Sequence, residues 1–165
     1  GVRPDAVVVS VGGGGLLCGV IEGLRRNGLP TVPVIAVETE GTASLAESLR
    51  RNRNTGIDRI AGIATSLGAK KVADAAFSHA MQHAAHSHVV SDRQALNACL
   101  QFSRDYRVLV EPACGAGLAA VYEPAESLKG KRDILVVVCG GAGVTMEQLQ
   151  DWSEELQNKP DPGGA

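Results

Sequence analysis

The sequence predicts an α/β fold: a mainly parallel sheet flanked by helices in three layers. Three observations carry that expectation. Short runs rich in Val and Ile alternate along the chain with segments whose apolar residues recur at helical spacing. The runs show no in–out alternation, as expected of strands covered on both faces. Glycines gather where such a run ends and a helix begins.

The elements follow in order. Residues 6–11 ("AVVVSV") form a buried strand, and residues 16–27 a helix whose apolar positions are Leu16, Leu17, Val20, Ile21 and Leu24, stopped by Gly28. "VPVIAVET" (32–39) is a second buried strand. Residues 43–51 are a short helix, followed by the polar loop "RRNRNTGIDR". A helix is expected over 69–83, with Lys70 and Lys71 at its start, and a short strand over 88–90. Ser91 and Gln94 have capping-box spacing and open a helix from 92 to about 106. Residues 108–110 are briefly extended. The small-residue stretch 112–122 is helical and ends before Pro124. "ILVVVC" (134–139) is a third clear strand, and Thr145 and Gln148 cap a last helix to about Leu156. Residues 1–157 read as one domain and "NKPDPGGA" (158–165) as a disordered tail.

Bulk properties narrow the function classes. The 165 residues fit one domain with a core, 44% hydrophobic but only 3% aromatic, so Val, Leu, Ile and Ala must build it. A net charge of −2 with scattered basic residues points away from nucleic acid. No apolar run is long enough to span a bilayer. Cys18, Cys99, Cys114 and Cys139 have neither C-x-x-C nor metal-ligand spacing, so a reduced thiol set and a cytoplasmic setting are expected. The chain enters a buried strand almost at once, as a cut chain would.

The most informative stretch is "SVGGGGLLCG" (10–19). A strand, a glycine loop and then a helix make an anion site, because the amides of the first helical turn point outward and the helix dipole favours negative charge. Phosphate is the expected guest; the competing reading is a tight turn without a ligand. The Walker pattern is absent, since no Gly-Lys follows at the right spacing. G-x-G-x-x-G fails too, its last position falling on Leu17 or Cys18, although Glu38 ends the second strand about where such folds keep a ribose-binding acid.

Taken with "VEPACGAGLAAVY" (110–122), "VVVCGG" (136–141), "VIAVET" and "TSLGAKKV" (65–72), this stretch resembles the C-terminal half of an L-serine/L-threonine dehydratase, a fold type II pyridoxal-phosphate enzyme. The resemblance runs to about Leu156. It implies part of the large domain of such an enzyme, with β-elimination of L-serine and L-threonine to a 2-oxo acid and ammonia. It also implies pyridoxal 5'-phosphate as cofactor, an amino-acid substrate and a homodimer. Gly12, Gly13, Gly14, Gly15 and Leu16 match the loop that holds the cofactor phosphate, and Cys139 matches the cysteine facing the pyridine nitrogen. Glu38, Thr42 and Ser44, with the backbone carbonyls of Leu67 and Ala69, resemble a monovalent-cation site suited to potassium. Thr42 replaces a common alanine, which a carbonyl ligand tolerates, and Ala142 stands where the family more often has Ser or Asn.

The Schiff-base lysine of this chemistry lies in the family's other half, in a Ser-Phe-Lys context. None of Lys70, Lys71, Lys129, Lys131 and Lys159 has that context, so no catalytic residue is assigned here. The chain alone is expected to be inactive, with the missing half, or a second chain supplying it, as partner. A serine racemase, a cysteine-forming synthase and a non-catalytic phosphate or nucleotide module are the competing functions; Cys139 argues against the first two, where serine fills that place. Other features have plainer readings: His79 and His83 as a solvated helix face rather than a zinc pair, Glu111 as a helix-start carboxylate, and Trp152 as packing on the last helix or at a subunit contact.

Overall fold

A computed structural model describes residues 2–83 and 85–157; the expected tail at 158–165 lies outside them. Four strands, β1 (Ala6–Ser10), β2 (Val34–Thr39), β3 (His86–Val90) and β4 (Ile134–Val136), form one sheet in the order β3-β2-β1-β4. Every pairing is parallel, with Val7 opposite Val34, Val8 opposite Val136 and Ile35 opposite His86. Among the described residues six α-helices cover the sheet: α1 (Gly15–Arg26), α2 (Ser44–Arg50), α3 (Asp74–Gln82), α4 (Asp92–Tyr106), α5 (Pro112–Tyr122) and α6 (Met146–Gln157).

The pleat divides the core in two. Val7 and Val9 of β1 join Val34 and Ala36 of β2, Leu17 and Ile21 of α1 and Ala76 and Ala80 of α3 on one face. Ala6 and Val8 join Ile35, Val37, Leu96 of α4, Ala116 of α5 and Leu149 of α6 on the other. Both faces of β1 and β2 are therefore buried, which is why neither strand alternates in sequence. Helix α5 is buried on nearly all sides, from Pro112 through Ala120, so its residues are small and apolar all round. Trp152 of α6 packs against this second cluster.

Both predicted capping boxes form. The Ser91 hydroxyl accepts the Gln94 N–H at 3.2 Å while the Ser91 N–H donates to the Gln94 side chain at 2.9 Å; Thr145 and Gln148 do the same for α6.

Three expectations need correction. Helix α3 begins at Asp74, not residue 69, so Lys70 and Lys71 precede it. The Lys70 carbonyl accepts the Ile57 N–H at 2.8 Å and the Ala73 N–H donates to the Gly13 carbonyl at 3.0 Å, tertiary bonds that hold 70–73 out of the helix. Strand β4 stops at Val136, although the Val137 N–H still donates to the Val8 carbonyl at 3.0 Å. His83 is buried rather than solvated, its Nε2 bonded to the Val32 carbonyl at 2.8 Å.

Candidate active site

The strand order places the site. From β1 the chain moves to β2 and β3 on one side, and β4 later adds on the other, so the order reverses between β1 and β4. In open α/β sheets ligands bind outside the carboxyl ends of the strands at such a reversal. A cavity of about 270 Å³ opens there, lined by Ser10 and Gly12–Gly15 after β1, Leu16, Ser66 and Leu67, Glu111 and Ala113 at the start of α5, and Cys139 after β4. The glycine loop and Cys139, far apart in sequence, share this cavity.

The glycines differ in what they do. Gly14 is left-handed (φ 90°) and caps α1; a Cβ on it would lie 2.3 Å from that of Ala76. A Cβ on Gly12 would crowd Leu67 Cα at 3.2 Å. Gly13 and Gly15 face open space, so nothing within the described chain requires glycine there; they leave room above the loop. No side chain caps α1 and its first turn has no acidic residue. Its leading amides are thus left for an external acceptor, and the dipole favours an anion. The pocket therefore fits a phosphate. Leu16, 45% exposed, adds an apolar edge.

Ser10 fixes the floor: its hydroxyl accepts the Gly117 N–H at 3.1 Å, tying the end of β1 to α5. Glu111 is the N-terminal flanking residue of α5, as expected, but it also lines the cavity and its Oε2 accepts the Gly143 N–H at 3.3 Å. Cys139 is exposed. Its thiol interacts with that of Cys114, which is buried in the first turn of α5. That partner had no signal in the spacing of the cysteines. The neighbouring Cys139 and the nearby backbone amides pull the Cys114 thiol down, whereas Cys114 and burial push Cys139 up.

Of the residues expected to hold a cation, the structure brings Glu38, Thr42 and Ser44 together on the turn from β2 into α2. Leu67 packs beside Gly12, and its carbonyl accepts the Ala69 N–H at 2.7 Å. Glu38 is completely buried, so it is no solvated strand-end charge. It accepts the Leu45 and Ala46 N–H groups at 2.8 and 2.7 Å, yet burial still pushes its carboxyl up to about 7. The Ser44 hydroxyl is buried with no hydrogen-bond partner among the described residues. Among them no group of three or more His, Cys, Asp or Glu side chains could hold a metal, and no helix is long and apolar enough to cross a membrane.

Comparison with known proteins fits this geometry. The family model described as pyridoxal-phosphate dependent enzyme matches residues 1–140. The L-serine dehydratase/L-threonine deaminase of Homo sapiens is 40% identical over 162 residues, covering 93% of this chain and 49% of its own length. A serine dehydratase-like protein of Mus musculus is 42% identical, over 94% of this chain and 50% of its own. The crystal structure of an L-serine ammonia-lyase from the fungus Rhizomucor miehei matches with a TM-score of 0.88 at 34% identity, covering 92% of this chain and 50% of that one. Maize serine racemase matches at a TM-score of 0.77 and 24% identity, a likeness of fold. The chain spans about half the length of the curated relatives it matches.

Proposed function

The chain belongs to the pyridoxal-phosphate-dependent enzyme family, and from that premise we propose that it is the phosphate- and ring-holding part of an enzyme that eliminates water from L-serine and L-threonine, giving a 2-oxo acid and ammonia. The observation that carries this reading is the glycine cradle: uncapped first-turn amides beneath open space at Gly13 and Gly15, facing Cys139 across one cavity. The named activities of its relatives support the reaction class.

The chemistry a bound pyridoxal phosphate supplies is an electron sink conjugated to the substrate's α-carbon. The protein's own contribution is to hold and orient. The amides of Gly13–Leu16 would hold the phosphate, with the α1 dipole adding to the attraction. Cys139, which lines the same cavity and whose thiol keeps its proton, would stand toward the ring nitrogen as an acid too weak to protonate it fully, which would suit elimination. None of Lys70, Lys71, Lys129, Lys131 and Lys159 has the Ser-Phe-Lys context of a cofactor-tethering lysine, so on this reading the chain by itself binds without turning over.

The same reading includes a potassium ion held by Glu38 with backbone oxygens of its turn and of Leu67 and Ala69. A buried carboxylate with a raised pKa beside an unpartnered Ser44 hydroxyl supports a cation there. Co-expression with a matching N-terminal half tests the function: a cofactor absorbance band and 2-oxo acid release from L-serine are expected, and the absence of both overturns it. Thermal stabilisation of the chain by NAD but not by pyridoxal phosphate would favour a nucleotide-binding module instead.

A further inference from the structure

Cys139 lies on the segment between β4 and α6, which is exposed at 138–140 and at 142–143. Its place in the cavity wall is therefore set by contacts with other segments, and these converge on the residues just before α5. The Glu111 N–H donates to the Gly140 carbonyl at 3.1 Å. The Glu111 Oε2 accepts the Gly143 N–H at 3.3 Å. Between these two bonds the backbones touch: a Cβ on Gly141 would lie 2.3 Å from the Leu109 carbonyl oxygen and 2.7 Å from the Val110 Cα, an approach that only glycine permits. The Val144 N–H closes a turn on the Gly141 carbonyl at 3.4 Å, which leaves the Gly143 N–H to bond outward. One residue thus holds this turn twice, by its backbone and by its side chain. A carboxylate serving only the α5 dipole needs nothing but its charge. This one also supplies an acceptor to one amide, 32 residues along the chain.

We propose that Glu111 is a positioning residue: its carboxylate clamps the Gly140–Gly143 turn to the start of α5 and so keeps Cys139 in the cavity wall. The backbone bond fixes the end of the turn next to Cys139, and the side-chain bond fixes the far end. That a cofactor ring lies against Cys139 rests on the function proposed above; the clamp does not.

The test uses the full chain without cofactor, isotope-labelled for amide-resolved NMR. Glu111→Ala removes both the acceptor and the charge, whereas Glu111→Gln removes the charge alone. Glu111→Ala should speed exchange of the Gly143 amide about fivefold or more, the size expected for one lost hydrogen bond. It should also lower the backbone order parameters from Cys139 to Gly143. Glu111→Gln should keep both near their original values, because its side-chain oxygen still accepts. A carboxylate acting through the helix dipole alone gives a different pattern: the two variants behave alike, and the change falls on the first-turn amides of α5. Gly143→Ala attacks the clamp from the other side, since its Cβ would stand 2.8 Å from Glu111 Oε2, and it serves should Glu111→Ala not fold. It should loosen the same residues, and the two substitutions together should loosen them no more than either alone. Equal behaviour of Glu111→Gln and Glu111→Ala, or a turn that neither Glu111→Ala nor Gly143→Ala loosens, overturns the proposal. Either result would leave phosphate binding by the glycine loop, measured separately with pyridoxal phosphate, as it stands.

Discussion

A methyl group added at Gly14 would meet the Ala76 Cβ at 2.3 Å, on a residue whose φ is 90°; one added at Gly13 meets nothing within 4 Å. The two neighbours therefore answer to different demands. Gly14→Ala should cost about 1–3 kcal/mol through overpacking and backbone strain, seen as a lower denaturation midpoint. Gly13→Ala should leave that midpoint nearly unchanged but weaken pyridoxal phosphate binding, measured by absorbance titration. Equal effects of both on stability would contradict the assignment of Gly13 to the ligand. Glu38 makes a separate prediction. Its folded pKa of about 7 lies above the ordinary 4.5, so between those values the folded state binds more protons than the unfolded one. Stability at Glu38 is thus present at low pH and lost as pH rises through about 4.5 to 7. In a cation-free buffer thermal melts should fall across that window. Glu38→Gln should flatten the fall, and potassium should offset it above pH 7.

Helices α4 and α5 show how element packing decides composition. A Cβ on Gly115 would lie 2.2 Å from the Ala95 carbonyl oxygen and 2.4 Å from the Cys99 sulfur. Gly115→Ala should push the two helices apart and cost about 1–3 kcal/mol or more, with the loss visible in chemical denaturation. Much at this scale was legible in sequence. Uninterrupted β-branched runs mark β1 and β2 as doubly covered, and the Ser91–Gln94 and Thr145–Gln148 boxes mark helix starts, because these signals are local. The start of α3 was not legible. Its alanines continue a helical pattern backward, and tertiary bonds from Ile57 to Lys70, from Asn54 to Val72 and from Ala73 to Gly13 hold 70–73 out of the helix. The site divides the same way. The glycine loop announces itself through strand, loop and helix in succession. The nearness of Cys114 to Cys139 comes from joining the start of α5 to the segment after β4, where the Glu111 N–H donates to the Gly140 carbonyl, which no spacing encodes.

Among the described residues the sheet ends in β3 on one side and β4 on the other. At the β4 edge Val138, 44% exposed, lines an apolar groove with Phe102, Tyr106, Val121 and Tyr122, and Leu135, 54% exposed, lines a second groove with Val2 and Pro4. An apolar, unpaired edge is a template for association. Leu135→Lys should therefore delay aggregation of the isolated chain on heating, followed by light scattering, without shifting its unfolding midpoint; an unchanged scattering onset would rule that edge out as the cause. On the other side of β1, the bond from the Ala73 N–H to the Gly13 carbonyl ties the ligand loop to the segment entering α3. An anion seated on the loop immobilises Gly13 and so steadies the acceptor of the Ala73 amide. Opening of that bond is what lets solvent deuterium replace the amide proton. Ala73 thereby becomes a built-in reporter, whose exchange should slow when the cradle fills although it touches no ligand.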